Sequence, residues 1–296
     1  MTLFDGVCVA MVTPFDGDGL DCDCLGRLVQ KYLDAGVSAI CVCGTTGEPN
    51  TITTEERVFL YSFVRNMVNK RIPVIAGVGC NSTSGTIRSA ELAEKSGVDG
   101  LLVVTPYYNR CTQKGLVLHY REVCAATSLP VITYNVPSRT GVNMLAETAA
   151  EISRIPNLVG IKEASGNAVQ FQDYVRLAGE NAAIYSGEDA LDYMGLCLGS
   201  HGIISVAAGV FPEAFVELHN RFRNGEIGKA RDIQNSLTRL INALFCEVNP
   251  IPVKRALSLL GYGNGIPRLP LTPLDERFLP ELKAALSELG TLPLDE

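Results

Sequence analysis

Leu158-Val-Gly-Ile161 is a short apolar run that ends on a cation, Lys162, followed at once by Glu163-Ala-Ser165. Such a run bounded by polar residues has the pattern of a strand buried on both faces, as in a parallel sheet. Seven more runs of this kind occupy 7–11, 39–43, 73–77, 100–104, 130–135, 183–186 and 202–206. Each gives way to polar or glycine-rich residues and then to a segment of helical periodicity, as at 54–69 and 83–96. Strands alternating with helices imply a parallel sheet, and eight such units imply that the sheet closes on itself. The expected fold class is therefore α/β, a (β/α)8 TIM barrel. An open doubly wound sheet would carry a glycine fingerprint after its first strand, where this chain has Val12-Thr-Pro-Phe-Asp-Gly17 instead.

The units recur roughly every 20 to 35 residues, the span of a βα unit, and leave no room for a second domain before residue 222. The barrel is expected over 1–222. Beyond it, 226–243, 249–260 and 276–290 read as three further helices, broken by Asn249-Pro-Ile-Pro252 and Gly261-Tyr-Gly-Asn-Gly-Ile-Pro267. Residues 223–296 are expected to form a C-terminal helical extension packed on the barrel.

Composition narrows the function classes. Of 296 residues, 47% are hydrophobic and 19% charged, without a run of five like charges, so the whole chain should fold. A net charge of -7 argues against nucleic acid or an anionic membrane surface as partner. No apolar stretch approaches the about 20 residues of a membrane span, and Met1-Thr-Leu-Phe-Asp5 lacks the basic and apolar segments of a secretory signal. A cytoplasmic protein is expected. Cysteines at 8, 22, 24, 41, 43, 80, 111, 124, 197 and 246 lie mostly in apolar runs, and neither Cys22/Cys24 nor Cys41/Cys43 has zinc-ligand spacing. They are expected to be buried free thiols of a reducing compartment. His119, His201 and His219 are scattered, so no metal site is expected.

In a barrel of this kind the loops after the strands form the active face. Lys162 stands there, where burial favours a neutral, nucleophilic amine suited to a Schiff base with a carbonyl substrate. The other reading is a lysine that snorkels into a surface ion pair, for instance with Glu163. Gly44-Thr-Thr-Gly-Glu48 follows the second strand and could offer amides and hydroxyls to a carboxylate, or be an ordinary turn with threonine caps. Thr105-Pro-Tyr-Tyr-Asn109 follows the fourth strand, with Tyr107 and Tyr108 as an exposed aromatic pair. Tyr134, one unit before Lys162, could shuttle protons to a carbinolamine or be a core tyrosine. Arg139, in a proline-, serine- and glycine-rich loop, could clamp a carboxylate or be a solvated surface residue. Glu163 is left without a role.

These segments resemble the dihydrodipicolinate synthase family of pyruvate-dependent lyases, which work as class I aldolases. The likeness also takes in Gly160-Ile-Lys-Glu-Ala164, Ser186-Gly-Glu-Asp189, Gly202-Ile-Ile-Ser-Val206, Asn249-Pro-Ile-Pro-Val-Lys254 and Arg268-Leu-Pro-Leu-Thr-Pro273, and so spans nearly the whole chain. It implies that Lys162 forms an imine with pyruvate while Thr45 and Thr46 hold the pyruvate carboxylate. It implies a proton relay of Thr46, Tyr134 and Tyr108, the last reaching a neighbouring subunit, in a homotetramer built as a dimer of dimers. Arg139 would bind the carboxylate of L-aspartate 4-semialdehyde, and Gly187 and Ile204 would line the pyruvate pocket through backbone atoms.

The implied reaction is condensation of the two substrates to 4-hydroxy-tetrahydrodipicolinate, in lysine and diaminopimelate biosynthesis, with no cofactor. Ser138-Arg139-Thr140 favours this over cleavage of N-acetylneuraminate or 2-keto-3-deoxy sugar acids, whose enzymes differ in that loop. A non-catalytic keto-acid-binding barrel is the alternative of another class. Lysine-inhibited members carry histidines and a glutamate where this chain has Thr54, Arg57 and Gly85; of that set Asn81 and Tyr107 remain. Weak or absent feedback by lysine is expected.

Overall fold

Gly6–Ala10 (β1), Ala39–Val42 (β2), Val74–Gly77 (β3), Gly100–Val104 (β4), Val131–Asn135 (β5), Leu158–Glu163 (β6), Ala183–Ser186 (β7) and Gly202–Ser205 (β8) pair in parallel, each with its neighbours in the chain. Strand β8 pairs back onto β1, from Gly6 opposite Gly202 to Val9 opposite Ser205, and closes the barrel. The computed structural model describes residues 2–290; Met1 and 291–296, the end of the expected extension, lie outside them.

All eight expected runs are strands, displaced by at most one residue at either end. Two displacements have a simple cause. Pro73 and Pro130 have no N–H to give to a ladder, so each strand begins one residue later. Their carbonyls still take part, accepting from Ile40 N at 3.2 Å and Leu101 N at 2.9 Å.

The helices between the strands are α1 (Cys22–Asp34), α2 (Thr54–Val68), α3 (Thr83–Lys95), α4 (Gln113–Ala125), the single turn α5 (Pro137–Thr140), α6 (Ala146–Ile152), α7 (Ala168–Ala178), α8 (Asp192–Leu198) and α9 (Pro212–Arg223). Side chains start many of them: Asp21, Ser82, Thr112 and Asn167 cap α1, α3, α4 and α7, and Thr53 with Glu56 closes a capping box on α2. Then follow α10 (Ile227–Leu244), α11 (Ile251–Leu259) and α12 (Leu279–Glu288), with α10 against α8 and α9 and α12 against α10 and α11. A small hairpin of Phe15–Asp16 and Gly19–Leu20, which the sequence patterns do not announce, crosses the loop after β1.

Alternation along the strands makes two cores. Outward residues such as Val7, Val9, Ile40, Val42, Val103 and Ile161 pack under the helices. Inward residues Cys8, Cys41, Ile75, Leu102, Ile132, Tyr185 and Ile204 fill the barrel. Phe4 stacks on Tyr185 with ring centroids 4.4 Å apart and so plugs the end where the strands begin. Gly160 makes room for that plug, since a Cβ there would lie 2.8 Å from the Tyr185 ring.

Among the described residues, no helix is long and apolar enough to cross a membrane. The cysteine expectation needs correction. All ten are free, and Cys8, Cys24, Cys41, Cys43 and Cys124 are buried, but Cys22 and Cys197 are exposed because they fall on the solvent faces of α1 and α8.

Candidate active site

Strands β5 and β6 are in register with Tyr134 opposite Lys162, so both side chains enter the barrel from neighbouring strands at the same height. Lys162 is only 4% exposed, and its Nζ lies 4.4 Å from the centroid of the Tyr134 ring. It does not snorkel. Glu163, one residue on, faces the other side of the sheet, where it accepts from Asn135 Nδ2 at 2.8 Å, Ser165 N at 2.9 Å and Gln170 Nε2 at 3.2 Å. Burial raises its pKa and those three donors oppose the rise. Glu163 thus ties the ends of β5 and β6 together, away from the cavity.

After β2, Thr45–Gly47 forms one 3-10 turn, and Thr46 is buried. The turn uses the amides of Gly47 and Glu48 internally, donating to Gly44 O and Thr45 O. That leaves the amides of the two threonines, rather than the whole loop, for an incoming carboxylate. Glu48 ends the turn in the left-handed region at φ 56°. Its carboxylate accepts from Lys254 Nζ at 2.6 Å and from Arg268 N at 3.0 Å. Thr46 Oγ1 accepts from Asn249 Nδ2 at 2.9 Å. The segment around α11 therefore fixes a loop that lies two hundred residues earlier in the chain.

Thr45, Thr46, Tyr134, Arg139, Lys162 and Gly187 line one cavity of about 140 Å³, with Asn249, Glu188 and Cys41 also in its wall. A second cavity of about 330 Å³ shares Thr45, Tyr134, Arg139 and Asn249 and extends outward past Tyr107 and Asn50. Arg139 is exposed and sits on the turn α5 rather than in a loop, because Pro137 is set for the first position of a helix. Its Nη2 donates to Asn249 O at 3.3 Å. At Gly187 an added Cβ would fall 2.5 Å from Lys162 Cε, so only glycine leaves the lysine its space.

Two expected residues are not in that wall. Ile204 lies on β8 within the inner apolar cluster, not among the residues lining the cavity. Tyr108 is 85% exposed, at φ 75°, and is not among the residues lining the cavity. The exposed aromatic pair also divides: Tyr107 is half-buried and donates to Asn50 Oδ1 at 3.3 Å.

Burial dominates the electrostatics around Lys162. It pushes the Cys41 thiol up to about 11 and the Cys8 thiol well up, against the lowering pull of Lys162, so neither is a nucleophile near neutrality. Glu188, Asp189 and Asp192 are likewise raised by burial. Asp189 accepts from Val206 N and Ala207 N and so anchors the turn after β8. Asp192 accepts from Ser186 Oγ at 2.6 Å. Among the described residues no cluster of three or more histidine, cysteine or acidic side chains could hold a metal ion.

A lysine and a tyrosine side by side under a threonine turn and an arginine are residue types that imine chemistry can use. The model of the dihydrodipicolinate synthetase family matches residues 3–289. The chain belongs to the dihydrodipicolinate synthetase family. It is 48% identical over 291 residues to the 4-hydroxy-tetrahydrodipicolinate synthase of Caldicellulosiruptor bescii, covering 98% of both chains. Dihydrodipicolinate synthase from Thermotoga maritima has a crystal structure that superposes with a TM-score of 0.97 at 44% identity, over 98% of this chain and 100% of that one. The chloride-inhibited dihydrodipicolinate synthase from Acinetobacter baumannii, crystallised with pyruvate, gives 0.95 at 41%, over 98% and 100%. Family membership thus spans the barrel and α10 to α12 alike.

Asn249 and Glu188 are two polar wall residues that motif reading left without a role. For Asn249 a signal existed, a polar residue at the head of the Asn249-Pro-Ile-Pro252 stretch, but nothing local says which loop it meets.

Proposed function

We propose that this member of the family condenses pyruvate with L-aspartate 4-semialdehyde to 4-hydroxy-tetrahydrodipicolinate, as a lyase of lysine and diaminopimelate biosynthesis. The observation that carries the mechanism is the Tyr134 ring 4.4 Å from Lys162 Nζ, deep in a cavity rimmed by Thr46 and Arg139. Lys162 adds to the keto carbon of pyruvate, whose carboxylate sits on Thr45 and Thr46. Tyr134 carries the proton that lets the carbinolamine lose water to give a protonated imine. Loss of a methyl proton makes the enamine, with the imine nitrogen as electron sink, so the chemistry calls for no cofactor. The enamine carbon attacks the aldehyde of the second substrate, held through its carboxylate by Arg139. The substrate amine then closes on the former keto carbon and displaces Lys162. Gly187 keeps the lysine's path open, and Ile204 supports the pocket from β8.

The relay of Thr46, Tyr134 and Tyr108 is read as crossing a subunit boundary. A tyrosine at φ 75° and 85% exposed has no explanation within its own subunit. A homotetramer of two such dimers, in the cytoplasm, accommodates it. Residues 223–296 are read as an extension of the barrel rather than a domain of their own, because Asn249, Lys254 and Arg268 complete the loop after β2.

Borohydride reduction with pyruvate should add the mass of the reduced adduct to the Lys162 peptide. Coupled turnover should be found with L-aspartate 4-semialdehyde and not with N-acetylneuraminate or 2-keto-3-deoxy acids. No adduct removes the mechanism, and preference for a sugar acid removes the substrate assignment. Full activity in a dilute monomer would remove the role of Tyr108.

A further inference from the structure

Asn249 touches both carboxylate-binding groups of the site. Its Nδ2 donates to Thr46 Oγ1 at 2.9 Å, and its carbonyl accepts from Arg139 Nη2 at 3.3 Å. The residue is 5% exposed and lines the cavity. Yet its Oδ1 is buried with no hydrogen-bond partner. An amide placed for stability alone would satisfy both of its ends, because an unpaired buried acceptor is destabilising.

We infer that Asn249 is a positioning residue whose side-chain amide sets the direction of the Thr46 hydroxyl proton. The inference rests on the proposed imine mechanism. A hydroxyl has one proton and two lone pairs. An N–H given to one lone pair leaves that proton for the pyruvate carboxylate or for Tyr134, where it serves binding and proton transfer. Without the amide, the hydroxyl is free to turn its proton toward a protein carbonyl. The arginine arm differs, since the backbone carbonyl that restrains Arg139 survives any substitution at 249.

That difference supplies the test, made on the full-length chain. N249A should lower kcat/KM for pyruvate roughly 10- to 100-fold, leave KM for the semialdehyde within about twofold, and leave Tm unchanged or higher. In N249D an ionised carboxylate takes the Thr46 proton, so activity should fall near neutrality and recover as the pH is lowered until the carboxyl protonates. In a T46V background, N249A should cost nothing further. Wild-type kcat/KM in N249A overturns the inference, and so does a loss that is fully retained in the T46V background. Should N249A not fold, an N249D pH profile parallel to wild type overturns it by itself. Failure of the underlying mechanism is distinguishable, because then the wild-type chain yields no trapped pyruvate adduct.

Discussion

Lys254 Nζ lies 2.6 Å from Glu48 Oε1, and the two side chains are 3% and 1% exposed. The second carboxylate oxygen accepts from Arg268 N, and the Phe15 ring stands 4.1 Å from both Lys254 Nζ and the Arg268 guanidinium. Arg268 in turn holds Glu56 with two bonds, at 2.7 and 2.6 Å. Burial lowers the Lys254 pKa, and Glu48 opposes that. Two buried charges satisfied by each other are costly to separate. Removing the acid alone, as in E48A, should destabilise the chain by about 3 to 5 kcal/mol in urea unfolding. The double variant E48Q/K254M should lose clearly less than the sum of its single variants. Additivity would show that the pair is not coupled.

Tyr134→Phe keeps the ring beside Lys162 and removes only the hydroxyl. It should cut kcat by about 10²- to 10⁴-fold, the usual loss for one proton-transfer group, with little change in Tm. Wild-type kcat in Y134F would return Tyr134 to a packing role.

Gly187→Ala places a Cβ 2.5 Å from Lys162 Cε, 2.8 Å from Lys162 Cγ and 3.0 Å from Ala164 Cβ. The flexible lysine must yield before the backbone does. A displacement near 1 Å should slow borohydride-trapped imine formation by about 100-fold, read in single-turnover experiments. An unaltered trapping rate would show that Lys162 has room the structure does not suggest.

Burial holds His119 down at about 4, against 6.5 ordinarily; its Nδ1 pairs with Thr83 Oγ1 and its Nε2 is buried without a partner. Between these two values the unfolded chain binds more protons than the folded one, so stability rises with pH. The contribution is complete above about 6.5 and should decline by about 3 kcal/mol as the pH falls to about 4. His201 and His219 are lowered in the same direction. H119Q should therefore flatten, without abolishing, the acid limb of stability measured by urea unfolding from pH 7 to 4. Identical limbs would place the acid sensitivity elsewhere.

Arg57 occupies a position where lysine-inhibited relatives are expected to carry histidine, and it donates to Pro49 O at 2.7 Å. A permanent cation there repels an incoming ammonium. L-lysine at millimolar concentration should leave most of the activity in a coupled assay; strong inhibition would disprove this.

The barrel was legible because β-strand signals are local: eight apolar runs, each ended by turn residues, with the prolines at 73 and 130 marking two of the starts. Lys162 and Tyr134 were legible for the same reason, since one strand end follows another by one unit. The partners that hold the site were not. Asn249 meets Thr46 across 203 positions and Lys254 meets Glu48 across 206, and no periodicity encodes such a meeting. Glu163 escaped because adjacent residues on a strand face opposite sides, which gives it a different neighbourhood from Lys162. Cys22 and Cys197 were misjudged because residue type, not helix face, set the expectation.

The eighth strand ends at Ser205, yet Thr46, Glu48 and Arg139 take their partners from positions 249, 254 and 268. Every strand of the barrel precedes, along the chain, the residues that hold the rim of its cavity. A chain cut before Asn249 would keep Lys162 and lose the partners of Thr46, Glu48 and Arg139. The rim of the cavity is thus held from outside the barrel's own strands, by residues that the chain supplies only after the sheet has closed in sequence.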